Sequence, residues 1–153
     1  MAALGKVSAC ASGRSPPNVP PSSAVTELRR SAGPTVQDCG EAVETREEGK
    51  CRVQPIFECV KRAHDTCRAA QGTHLFSTDE GDDVRIDYFV RERPGGACDF
   101  IVIEDRSQDP LAPKTPQTQT AVYVQLCARV GWKPHATIPA CDVFAPTACA
   151  EAG

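Results

Sequence analysis
In Val84-Arg85-Ile86-Asp87-Tyr88-Phe89-Val90-Arg91-Glu92, Val84, Ile86, Tyr88 and Val90 alternate with Arg85, Asp87, Phe89 and Arg91, and Arg93-Pro94-Gly95-Gly96 follows. A period of two places successive side chains on opposite faces of a strand, and Pro-Gly-Gly is turn chemistry. The apolar run 98–105 then reads as the returning strand of a hairpin. Pairing Glu92 with Ala97 sets the expected register. It puts Arg85 opposite Glu104 as a cross-strand ion pair, with Ile86 opposite Ile103 and Tyr88 opposite Ile101 on one face.

Working upstream, Gln54-Pro55 opens a helix, since proline suits the first helical position, where its missing N–H had no partner. Ile56, Val60, Ala63 and Cys67 recur at helical spacing, widened by Phe57 and His64, while Glu58, Lys61, Arg62, Asp65 and Arg68 form the polar side. Gln71-Gly72 is the expected stop, with glycine as a left-handed cap. Residues 73–78 read as a short strand. Downstream, residues 108–119 read as a Pro/Thr/Gln-rich loop, and 120–130 as the last strand, with Val122, Val124, Leu126, Ala128 and Val130 on one side. This leaves Phe89, Phe100, Val102, Tyr123, Cys98 and Cys127 on the face away from the helix, where apolar area needs a cover. The segment after Gly131 carries Trp132, Ile138, Cys141, Val143, Phe144 and Cys149, but its prolines argue against a long helix or central strand. The expected class is α+β: one amphipathic helix packed on a three- to four-stranded antiparallel sheet, disulfide-stapled, with an irregular C-terminal cover. A helix followed by a curved antiparallel sheet is similar to the cystatin arrangement in topology, with no cystatin sequence motif.

The 153 residues are 41% hydrophobic, 5% aromatic and 24% charged, which suits one domain with a modest core. No run approaches the roughly 18 apolar residues of a membrane-spanning helix. A formal net charge of −3 gives electrostatics no role in holding nucleic acid. Residues 1–35 carry Lys6, Arg14, Arg29 and Arg30 against Glu27 alone, and are rich in Pro, Ser and Ala. They are expected to be a signal remnant or anchor followed by a disordered linker over 11–35, with a single disulfide-rich domain over 36–153.

Nine cysteines are the outlying number. There is no C-x-x-C pair, so the close spacing of zinc ribbons and redox motifs is missing. Cys39, Cys51, Cys59, Cys67, Cys98, Cys127, Cys141 and Cys149 are scattered and read as up to four disulfides formed in an oxidising compartment. Their connectivity is open, except that Cys59 and Cys67, eight residues apart on one helix, are separated by about 12 Å of rise and about 80° of rotation and cannot pair. Cys10 is the odd one. Val7-Ser8-Ala9-Cys10, followed by Ala11-Ser12-Gly13-Arg14-Ser15-Pro16-Pro17, resembles the lipobox and tether of bacterial lipoproteins. The resemblance implies lipidation of Cys10 and closes the count at one modified thiol and eight paired ones.

No G-x-S-x-G, H-E-x-x-H, phosphate-binding loop or dinucleotide fingerprint occurs. His64 is expected to be a partly buried histidine of the helix, His74 to begin a strand and His135 to lie in a loop, with no nucleophile beside them. Asp79, Asp82, Asp83, Asp105 and Asp109 are expected to share one rim of the sheet, Asp83 beside Arg106. Calcium favours such oxygen clusters, although the spacing is not that of an EF-hand. The expected function is that of an exported, lipid-anchored protein of the cell envelope, or a secreted one. It would act as a non-catalytic binding or structural module without a cofactor, for an unknown protein or small-molecule ligand. It would touch a membrane only through its anchor. The alternatives are a hydrolase using two rim carboxylates as acid and base, or a calcium-binding module.

Overall fold
The computed structural model describes residues 16–44, 51–116, 119–136 and 141–151. Cys10 lies outside them, as does Ile138. The element order is α1 (Ser23–Ala32), β1 (Gln37–Val43), α2 (Gln54–Asp65), β2 (Ala70–Ser77), β3 (Asp83–Glu92), β4 (Cys98–Asp105), β5 (Val122–Pro134) and β6 (Asp142–Glu151). All six strands form one sheet in chain order. β1 runs parallel to β2, with α2 as the crossover between them, and every other pair is antiparallel. Two helices on a six-stranded mixed sheet therefore replace the expected single helix on three or four antiparallel strands.

The two faces of the sheet bury different clusters. Phe57 and Val60 of α2 pack with Tyr88, Val90, Phe100, Val102 and Phe144. On the other face Val25 of α1 packs on Phe89, Ile101 and Ile103. The stretch expected to be linker thus supplies the second helix. Ser22 caps it by accepting the N–H of Val25 through its side chain, and Val25 is fully buried. Hydropathy periodicity misses this helix because its apolar stripe is narrow: Ala24, Val25 and Leu28 suffice.

The hairpin of β3 and β4 is one residue out of the expected register. Arg93 N–H donates to the Ala97 carbonyl, and Gly95 and Gly96 both take positive φ (94° and 83°), so the loop holds five residues. Glu92 then pairs with Cys98, Arg85 with Asp105, and Tyr88 with Val102. A slip of one residue exchanges faces. Phe100 and Val102 join Tyr88 beneath α2, whereas Ile101 and Ile103 join Phe89 beneath α1.

Helix α2 begins with its proline as expected but stops at Asp65. Thr66 and Arg68 close the end by donating to the carbonyls of Arg62 and Ala63, and Cys67 itself takes the left-handed conformation (φ 51°). Gly72, expected as the cap, lies inside β2 under the helix; a Cβ there would meet Ile56 Cγ2 at 2.6 Å. Its smallness lets α2 approach the sheet.

The C-terminal segment is strand rather than irregular cover. β5 continues to Pro134, and β6 returns along it as an edge, the one place where Pro146 removes no ladder bond from a further neighbour. Phe144 turns toward α2, not away from it, with its ring centroid 4.6 Å from that of Phe57 and 5.1 Å from that of Tyr88. Cys127 and Val130, three residues apart, both reach the α2-side cluster, so the ribbon turns over between them. Ala148, opposite that point, has φ 53°.

Four disulfides close the fold: Cys39–Cys59, Cys51–Cys141, Cys67–Cys98 and Cys127–Cys149. All eight scattered cysteines are paired. Cys59 and Cys67 take different partners as expected, although Cys67 lies beyond the end of α2 rather than on it. The bridges tie β1 to α2, the segment before α2 to the start of β6, the end of α2 to β4, and β5 to β6. Four bridges of this kind indicate an oxidising, extracytoplasmic environment.

Candidate functional site
Three polar residues from distant parts of the chain meet on the α2 side. Glu44 follows the last residue of β1, His74 stands in β2, and His135 follows β5. Backbone bonds fix two of them: Glu44 N–H donates to the Leu75 carbonyl (2.8 Å), and His135 N–H donates to the Cys141 carbonyl (2.7 Å). His74 Nε2 donates to Glu44 Oε2 at 2.7 Å, and His135 Nε2 donates to the other oxygen, Oε1. About a tenth of each side chain is exposed: 9% for His74, 11% for Glu44 and 12% for His135. The His74 ring is itself held edge-on to Phe57 and tilted against Phe76. Burial opposes the charge of Glu44. The hydrogen bond and charge of His74, with those of His135, outweigh it and hold the carboxyl below the usual carboxylate range. Beside this cluster, Tyr88 is buried, and burial, then Glu104, Asp87 and Glu44, push its phenol up.

This arrangement is a clasp. A single carboxylate bonds the β2 imidazole with one oxygen and the β5–β6 connection with the other. The Cys51–Cys141 bridge closes the same end of the molecule covalently. Each imidazole faces its own oxygen. Among the described residues no group of three or more His, Cys, Asp and Glu side chains is placed to hold a metal ion. Glu44 carries no local signal in the sequence. The histidines are 61 residues apart and stand in β2 and after β5, so only the fold brings both to one carboxylate.

A second polar cluster is sealed on the α1 side. Arg85 forks onto Asp87, Nε to Oδ2 at 2.6 Å and Nη2 to Oδ1 at 2.9 Å, and Thr73 donates to Asp87 Oδ1 at 2.7 Å. Arg85 Nη1 donates to the Val19 carbonyl, so the chain before α1 completes the coordination of a buried guanidinium. The expected partner of Arg85, Glu104, instead pairs with Arg106. Arg106 therefore does not serve Asp83.

Three of the five candidate calcium ligands use a carboxylate oxygen locally. Asp83 accepts from Ser77 Oγ and Asn18 N–H, Asp105 is buried and accepts from Ser107 N–H, and Asp109 accepts from Leu111 N–H. Asp82 gives its own N–H to Thr78 Oγ1, and Asp79 lies in the same turn. His64 packs edge-on to Phe100, a partly buried helix histidine. Among the described residues no helix is long and apolar enough to cross a membrane. Comparison with protein-family models, curated proteins and solved structures returned no match.

Proposed function
We propose that this chain is an exported, non-catalytic binding or structural module of the cell envelope, tethered by a lipid on Cys10. The observation that carries the reading is the pairing of all eight remaining cysteines, which leaves Cys10 as the one thiol outside the bridged set. Among the described residues, Glu44 is bonded to two histidines and Asp87 to Arg85 and Thr73. These bonded clusters support a rigid scaffold. From Cys10 to Asn18, the first of the described residues to bond the sheet, eight residues span at most about 28 Å. A lipid on Cys10 would therefore hold the domain close to the membrane, with its α1 face nearest the tether.

The test is metabolic labelling with an alkyne fatty acid in the native host, together with alkylation of the unreduced protein. The reading expects label that Cys10→Ser abolishes, and eight cysteines protected from alkylation. Protection without label would remove the anchor and leave export. Free thiols throughout the domain would remove both.

A further inference from the structure
We propose that Cys127–Cys149 is a redox-sensitive bridge, opened by a dithiol ahead of the other three while the fold stays intact. Cys149 lies on the edge strand β6 and is the one exposed half-cystine of the eight. Cys39, Cys51, Cys59, Cys67 and Cys98 are half-buried, and Cys127 and Cys141 are buried. A thiolate must reach a sulfur along the S–S axis, so access ranks the bridges. The two residues also stand directly opposite each other in the β5–β6 ladder, flanked by Leu126 with Ala150 and Arg129 with Thr147. The other three bridges join separate elements, whereas this one links neighbours that a hydrogen-bonded ladder already holds. Losing it releases the fewest independent contacts. The start of β6 stays anchored by Cys51–Cys141 and by Phe144 in the core.

The chemistry is a balanced exchange. One thiolate of the dithiol attacks Cys149 Sγ, a mixed disulfide forms, and the S–S electron pair leaves on Cys127 Sγ, which takes up a proton. Cys127 is buried, so the reagent meets the bridge at Cys149 and Cys127 is the sulfur that leaves. The second thiol of the reagent, losing its proton, attacks the reagent's own sulfur in the mixed disulfide. Cys149 departs and is protonated. The dithiol is oxidised to a disulfide, and the bridge is reduced to two thiols. The ladder keeps the two Cα atoms 4.0 Å apart in the bridged state and its flanking pairs persist, so reoxidation restores the same bond.

The experiment incubates the oxidised full chain with graded dithiothreitol in native buffer, quenches in acid, alkylates and maps labelled peptides by mass spectrometry. Cys127 and Cys149 should label together at a reductant concentration at least about tenfold below that opening any other bridge. Circular dichroism should be unchanged, and amide exchange should rise over residues 147–151. A different pair labelling first, or all eight labelling together as the spectrum collapses, would overturn the proposal. C127A/C149A should show no thiol in the low-reductant window. Thiols appearing there in that variant would equally defeat it, and if the variant does not fold, the order of labelling in the parent chain decides alone.

Discussion
Glu44 has two oxygens and each has an imidazole N–H to accept, so nothing smaller or differently charged replaces it. Glu44→Gln keeps the shape but turns one oxygen into an NH2 group, setting a donor against a donor. Urea denaturation near neutral pH should show a loss of about 1–3 kcal/mol, the cost of leaving a buried donor unmatched. The pH dependence has a definite sign. The folded carboxyl titrates below its usual range, so the unfolded chain binds the proton first. The contribution of Glu44 is complete above the ordinary carboxylate range and is lost as pH falls below about 4. The gap between parent and variant should close there. A gap that persists unchanged at pH 3 would mean that the carboxylate charge is not its cause. Tyr88 has the opposite sense. Its phenol is pushed up, so stability should decline as pH rises beyond about 10, where unfolded tyrosine releases its proton. Ultraviolet titration should show no phenolate from Tyr88 until the chain unfolds.

The helices are held to the sheet by small details, and those details limit what the sequence reveals. The α2 stripe, its opening proline, the β3–β4 hairpin and the pairing of all eight scattered cysteines are legible from period and composition. The register is not, because Arg93-Pro94-Gly95-Gly96 permits either a four- or a five-residue loop, and only the packing of Phe100 and Val102 under α2 selects between them. Nor does Gly72 announce its role: a glycine after an apolar stripe reads as a cap until the helix is seen resting on it. Gly72→Ala should push Ile56 and Val60 outward, costing about 1–3 kcal/mol as overpacking does. Gly131→Ala is the control. Its added Cβ would stand 3.8 Å from the Ala145 carbonyl, an ordinary contact, and a chemical denaturation midpoint close to that of the parent is expected. Helix α1 hides in a segment whose composition suits a linker, because one buried valine and a carbonyl offered to Arg85 contribute what a wide stripe would elsewhere. Removing residues 1–33 should therefore expose Phe89, Ile101 and Ile103, deprive a buried guanidinium of a partner and lower the melting temperature by well over about 5 °C, with dye binding to the uncovered face. An unchanged melting curve would show that α1 contributes nothing.

For the whole molecule, the six strands form one continuous sheet whose ends are gathered over α2, and the closure is both covalent and polar at the same place. Cys51–Cys141 spans 90 residues, against 31 for Cys67–Cys98, 22 for Cys127–Cys149 and 20 for Cys39–Cys59. Chain entropy in the unfolded state grows with the logarithm of the loop, so the longest bridge should contribute about 1 kcal/mol more than the shortest when each is considered alone. Two effects modify that figure. The other bridges shorten the unfolded path between Cys51 and Cys141, which reduces the gain. Against this, removing the bridge frees the β6 start that carries the carbonyl receiving His135 N–H, so the bond between His135 and Glu44 weakens with it. The second effect is an additional loss that entropy does not contain. Paired Cys→Ala replacements, one bridge at a time, should thus rank C51A/C141A as the most destabilised, by about 4 kcal/mol or more, and C39A/C59A at about 3. Combining Glu44→Gln with C51A/C141A separates the two contributions. If bridge and clasp close the same end of the molecule, the double perturbation should cost measurably less than the sum of its parts, by about 0.5 kcal/mol or more. Strict additivity would mean that the two closures act independently, and that the meeting of Glu44, His74 and His135 owes nothing to the bridge beside it.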